Sequence, residues 1–206
     1  MPKIYGLSAA ELARQIREKK ITTMEVVQSF LERMDALEPE LDAWVRVDRE
    51  TVVADAKQRQ AELESGRATG PLHGVPIGIK DIYNIAGIPT TAGSKVYADY
   101  VPGETAVTID LLQKAGAIML GKTVTTEFAC LDPSHTKNPW NPAHTPGGSS
   151  SGSGCATVAR LAVSSWRFTL SSTPPNLPNS VFTAASTCQT SLACFSMARV
   201  RNPIRR

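Results

Sequence analysis

The sequence predicts an α/β fold in which N-terminal helices pack on a few strands of a mixed sheet. Three observations predict it. Apolar residues recur at helical spacing behind capping signals in the opening segments. The chain then turns to Gly, Pro and β-branched residues from Gly70 onward. Finally, "GETAVTIDLLQKAGAIMLGKT" reads as a helix, a capping Gly116 and an apolar strand, and a helix feeding a buried strand is the repeating unit of α/β sheets.

Each element has a local cause. Ser8 followed by Glu11 has the spacing of a capping box, with Leu12 and Ile16 supplying the apolar stripe behind it. Thr22 followed by Glu25 repeats the device ahead of Val26, Val27, Phe30, Leu31 and Met34. A third helix is expected over Thr51 to Leu63, ending near Gly66. "GPLHGVPIGIKDIYNIAGIPTTAGS" predicts a short buried strand over Val75 to Ile79, followed by turns. A further strand is expected over Ala117 to Leu120, then Pro/Gly/Ser loop from Asn138, then a helix starting near Cys155.

Composition excludes several classes. With 42% hydrophobic and 20% charged residues the chain reads as globular, and no apolar run approaches the roughly 18 residues of a bilayer span. "MPKIYGLSAAELARQ" lacks the apolar core of a signal peptide, so a cytoplasmic location is expected and no membrane partner. Cys130, Cys155, Cys188 and Cys194 show neither CxxC pairing nor histidines at metal spacing, which predicts free thiols and no metal site. His73, His135 and His144 are scattered and read as loop or surface residues, and Trp140 as a packing anchor.

The net charge of +3 is unevenly spread: residues 161 to 206 carry five Arg, no Lys and no acid. Those arginines are dispersed among Ser, Thr and Pro, so no direct nucleic-acid partner is expected. The same stretch has no glycine and no sustained period of either kind. Residues 1–160 therefore read as one unit, and 161–206 as an aberrant, disordered tail.

Two segments carry chemistry. In "TPGGSSSGSG" the glycines would let backbone N–H groups approach a ligand, and the helix that follows would favour an anion or a developing oxyanion. A flexible linker has the same composition, and the run lacks the GK[ST] ending of a phosphate loop. Lys80, in "VPIGIKDIYN", stands at the end of a buried strand. A desolvated lysine there can serve as a general base, whereas a lysine that escapes to the surface does nothing.

Together, "GVPIGIKD" and the downstream "NPWNPAHTPGGSSSGSG" resemble the amidase signature family, which includes the glutamyl-tRNA amidotransferase A chain and related amidases. The intervening "TTAGSKVYADYVPGETAVTIDLLQKAGAIMLGKTVTTEF" also matches the family's usual run, so the resemblance covers about residues 5 to 160. It implies the N-terminal part of an amidase-signature fold, with the mixed sheet incomplete. It also implies hydrolysis of a small-molecule amide by a Ser–cis-Ser–Lys triad that needs no cofactor. By resemblance Lys80 is the base and Ser149 the bridging serine, preceded by a cis peptide bond. Gly147, Gly148 and Ser150 shape the substrate-binding loop around them.

The family's nucleophile is a further serine in a Gly-rich loop whose N–H groups form the oxyanion hole. Counting on from Ser149 reaches "TLSSTPPN", where Ser171 and Ser172 lack any preceding glycine and are followed by prolines. Proline removes the donors that an oxyanion hole needs. The nucleophile is therefore left unassigned, and the chain is expected to be a truncated, inactive member. The resemblance leaves open a homo-oligomer, or association with the other chains of an amidotransferase.

Overall fold

The computed structural model describes residues 3–67, 70–130 and 132–163. The expectation for 161–206 falls almost wholly outside these residues, as do Ser171 and Ser172.

Five α-helices and three strands are described: α1 Ala9–Arg17, α2 Thr23–Leu41, β1 Trp44–Arg46, α3 Arg49–Glu64, β2 Pro76–Lys80, α4 Val107–Lys114, β3 Ile118–Thr123 and α5 Ser151–Ala159. The capping signals set the helix starts. Thr22 and Glu25 form the complete box, Glu25 N donating to Thr22 Oγ1 at 3.1 Å and Thr22 N to Glu25 Oε2 at 2.8 Å. At α1 only half the box forms. Ser8 accepts from Glu11 N, while the Glu11 carboxylate turns to Arg14 and Gln15. Asp48 rather than Thr51 begins α3, accepting from Thr51 N at 3.1 Å.

The sheet is mixed, in the order β1-β3-β2. The central strand β3 runs parallel to β2 and antiparallel to β1. The sequence gives no sign of β1: three residues following a left-handed Asp42 are too short to show an alternation.

One irregularity positions the site. β2 pairs Ile77 with Met119 but Gly78 with Gly121, so Leu120 is an extra residue on β3. Beyond this bulge Ile79 pairs with Lys122, and Lys80 with Thr123. On one face, Ile77, Ile79 and Met119 pack with Ile109 and Leu112 of α4. On the other, a larger core joins Leu12 and Ile16 of α1, Val26, Val27 and Phe30 of α2, Val52 of α3, and Cys155 and Ala156 of α5. Strand alternation sends Lys80 toward this second side, where α5 lies.

The helix expected near Cys155 starts four residues earlier, at Ser151. Part of the Gly/Ser run is therefore helical. The reason is tertiary: Gly152 lies against the backbone of Ala43 and Val124, and Gly152 N donates to Val124 O at 2.9 Å. His73 also departs from expectation. It is buried, and its Nε2 donates to Arg59 O at 2.8 Å. Trp140, expected to be a packing anchor, is 79% exposed among the described residues.

Candidate active site

Lys80 ends β2 and is only 6% exposed. Its Nζ donates to Ser149 Oγ at 2.7 Å. Ser149 belongs to the loop that leads into α5, and the Gly148–Ser149 peptide bond is cis. The loop is tied to the chain beyond β3 through one carbonyl: Ser149 O accepts from Thr126 N and from Thr125 Oγ1, each at 3.0 Å. Further on, Thr123 and Ser153 share a hydroxyl–hydroxyl bond of 2.7 Å, which fastens the end of β3 to the first turn of α5. Lys80 and Thr123 are register partners, so both sheet strands address the same serine-rich turn.

The other predicted loop residues gather here. Gly147 takes a φ of 93°, a conformation that favours glycine, and its N donates to Thr145 Oγ1. Gly148 is half-buried beside Thr126. Ser150 is 7% exposed and occupies the N-cap of α5 without a side-chain capping bond. Ser151, 1% exposed in the first turn, has an Oγ with no hydrogen-bond partner among the described residues.

Before the loop, "HTKNPWNPAH" is held by short-range bonds. Trp140 N donates to Asn138 Oδ1, Ala143 N to Asn141 Oδ1, and Asn138 N to His144 O. Asparagine turns thus present Trp140 to solvent.

Sequence reasoning missed a second lysine. Lys122 is 2% exposed, and its Nζ lies 2.8 Å from Asp81 Oδ1. It also donates to Tyr83 O and to Thr90 Oγ1, both at 2.9 Å. Asp81 is fully buried, and its Oδ2 accepts from Thr91 N at 3.0 Å and from Thr91 Oγ1 at 2.5 Å. Burial pushes the Lys122 ammonium below the ordinary lysine range, against the hydrogen bond and charge of Asp81. The available signal was the charge inside "MLGKTV", a lysine within an apolar strand, which needs a buried partner. Cys155, on α5, has its thiol pushed up to about 12, chiefly by burial.

The α/β frame that carries this lysine and this Gly/Ser turn is similar to solved structures whose names describe amide cleavage. Solved structures with the same frame include the peptide amidase of Stenotrophomonas maltophilia, at a TM-score of 0.71 and 32% identity over 78% of this chain and 36% of that one. Fatty acid amide hydrolase aligns at a TM-score of 0.70 and 28% identity, over 79% of this chain and 30% of that one. The Amidase family model matches residues 25–166, and the chain belongs to the amidase signature family.

Curated relatives are similar at the same level. The A chain of the glutamyl-tRNA(Gln) amidotransferase of Carboxydothermus hydrogenoformans is 38% identical over 167 residues, which is 78% of this chain and 34% of that protein. An acylamidase of Rhodococcus erythropolis is 38% identical over 166 residues, 77% of this chain and 34% of that one. The chain thus spans about a third of the length of the curated relatives it matches. Among the described residues no helix is long and apolar enough to cross a membrane.

Proposed function

We propose that Lys80 and Ser149 are the base and the bridging serine of an amide-hydrolysing relay, carried on the first part of an amidase-signature domain. The observation that carries this reading is the 2.7 Å contact between a buried Lys80 Nζ and Ser149 Oγ. In the reaction the neutral Lys80 amine accepts the Ser149 proton, and Ser149 accepts the proton of a nucleophilic hydroxyl. That oxygen forms a bond to the amide carbon. As the C–N bond breaks, the relay returns a proton to the departing ammonia or amine. Water then releases the acid by the same path. Gly147, Gly148 and Ser150 shape the turn beside the substrate, and the relay requires no metal or cofactor.

The residues beyond Gly154 offer no glycine-flanked serine to complete this relay. No glycine follows Gly154, and prolines follow Ser171 and Ser172. A hydroxyl nucleophile needs N–H donors on a close turn for its oxyanion. The abrupt change of composition after Arg160 fits a shifted reading frame or a mis-joined sequence. We therefore expect no amide turnover from these 206 residues. A second reading is an ammonia-supplying amidotransferase component that works with partner chains in the cytoplasm. The amidotransferases among the relatives favour it.

The test has two arms. The purified chain is assayed with glutamine, aliphatic amides and aryl amides. In parallel, residues 1–160 are joined to the corresponding downstream part of the Rhodococcus erythropolis acylamidase. The expected results are background rates for the chain and turnover for the chimera. Chimera turnover should fall by about 10²–10⁴-fold in Lys80→Ala and in Ser149→Ala. Turnover by the 206-residue chain that persists in Lys80→Ala would sink the reading. Preference for glutamine over aliphatic and aryl amides would favour the amidotransferase alternative.

A further inference from the structure

Beside Lys80 lies an ion pair that the relay does not use. Asp81 follows Lys80 directly, and Lys122 pairs across the ladder with Ile79, so the pair sits on the face opposite Ser149. Lys122 Nζ donates to Tyr83 O and to Thr90 Oγ1, and it forms an ion pair with Asp81 Oδ1 at 2.8 Å. Asp81 is fixed from its other side. Its second oxygen takes two bonds from Thr91, its N donates to Thr123 O, and its O accepts from Ala92 N. The pair therefore clamps the turn that follows β2 onto the end of β3. Clamping alone does not call for ions, because a well-packed apolar pair of similar volume serves as well or better in a buried site.

Charge gives the pair a purpose. A lone buried carboxylate on the residue next to Lys80 would favour its ammonium form, which cannot accept a proton. A lone buried ammonium would favour the amine. We infer that Asp81 and Lys122 are positioning residues for Lys80: the carboxylate fixes the strand end that carries it, and Lys122 cancels that carboxylate's charge. The inference rests on the reading of Lys80 as the relay base, and it concerns a pair that does not touch substrate.

The test exploits opposite signs. The full chain and its variants are treated at pH 8 with an acetylating N-hydroxysuccinimide ester, which reacts with the amine form of lysine. Lys80 acetylation is read by peptide mass spectrometry against exposed Lys57 and Lys95 in the same sample. A unit charge at about 10 Å in a protein interior predicts changes on the order of tenfold. Asp81→Asn should raise Lys80 acetylation by that factor, and Lys122→Met should lower it. The double variant should return to within about twofold of wild type, and Lys122→Arg should match wild type.

A merely structural clamp would loosen in both single variants and raise acetylation in both. That outcome, or no change in either, overturns the inference. Should Lys122→Met fail to fold by circular dichroism, Lys122→Gln replaces it: acetylation below wild type supports the inference, and a rise overturns it. The readout is independent of turnover. If the chimera ignores Lys80→Ala while the acetylation order holds, the relay reading falls and the electrostatic coupling stands.

Discussion

Gly152 and Gly154 lie two residues apart on α5, and alanine at each should have opposite effects. A Cβ at position 152 would come within 2.2 Å of Ala43 O, 2.4 Å of Val124 N and 3.0 Å of Val124 Cα. All three are backbone atoms, so no side-chain rotation relieves the contact, and α5 must move off the sheet. Overpacking of this kind costs roughly 1–3 kcal/mol. The displaced Gly152 N–Val124 O bond, 2.9 Å long, adds about 1 kcal/mol. The helical preference for alanine over glycine returns about 1 kcal/mol. Gly152→Ala should therefore destabilise the chain by about 1–3 kcal/mol. Around Gly154 there is nothing within 4 Å, so only helix preference acts, and Gly154→Ala should stabilise by up to about 1 kcal/mol. Urea unfolding followed by circular dichroism measures both. If Gly152→Ala proves as stable as Gly154→Ala, the close approach of α5 to the backbone of Ala43 and Val124 is wrong. The position of Ser149, three residues earlier, then loses its support.

Two further outcomes are expected. Burial raises the carboxyl pKa of Glu38, whose Oε1 accepts from Trp44 N at 2.7 Å. A carboxyl raised in the folded state costs stability as pH climbs from its unfolded value through the folded one, and the cost is complete above that. Glu38→Gln keeps the acceptor and removes the charge, so its melting temperature should exceed wild type at pH 7.5 and equal it at pH 4. A gap that is larger at pH 4 refutes the assignment. Iodoacetamide at pH 8 should alkylate exposed Cys130 and spare Cys155 until the chain is unfolded, because the buried thiol is pushed up to about 12. Equal alkylation of the two in the native chain would show that α5 is not packed as described.

The helices are legible because their causes are local. Thr22 and Glu25 bond to each other's backbone within one turn, so four residues of sequence suffice to mark the start of α2. The same logic overreaches at Ser8, where Glu11 has the right spacing but finds Arg14 and Gln15 instead. The strands β2 and β3 announce themselves as apolar runs beside glycine and proline, and each boundary falls within three residues of expectation. The short β1 does not, since only its partner β3 makes it a strand.

For the candidate site, the sequence by itself determined which residues to propose: two motifs in order, with the family's run between them, single out Lys80 and Ser149 whatever the fold does with them. It could not determine that their side chains meet, nor that Lys122 turns away from them toward Asp81. The first depends on the loop before α5 reaching the end of β2, 69 residues earlier in the chain. The second depends on the bulge at Leu120, which flips the facing of every later residue of β3, and a flip in a period of two is invisible until the neighbouring strand is known. The early start of α5 and the burial of His73 share that origin. Each is set by a backbone from a distant part of the chain, Val124 beneath Gly152 and Arg59 beside His73, and contacts of that range leave no period in the sequence.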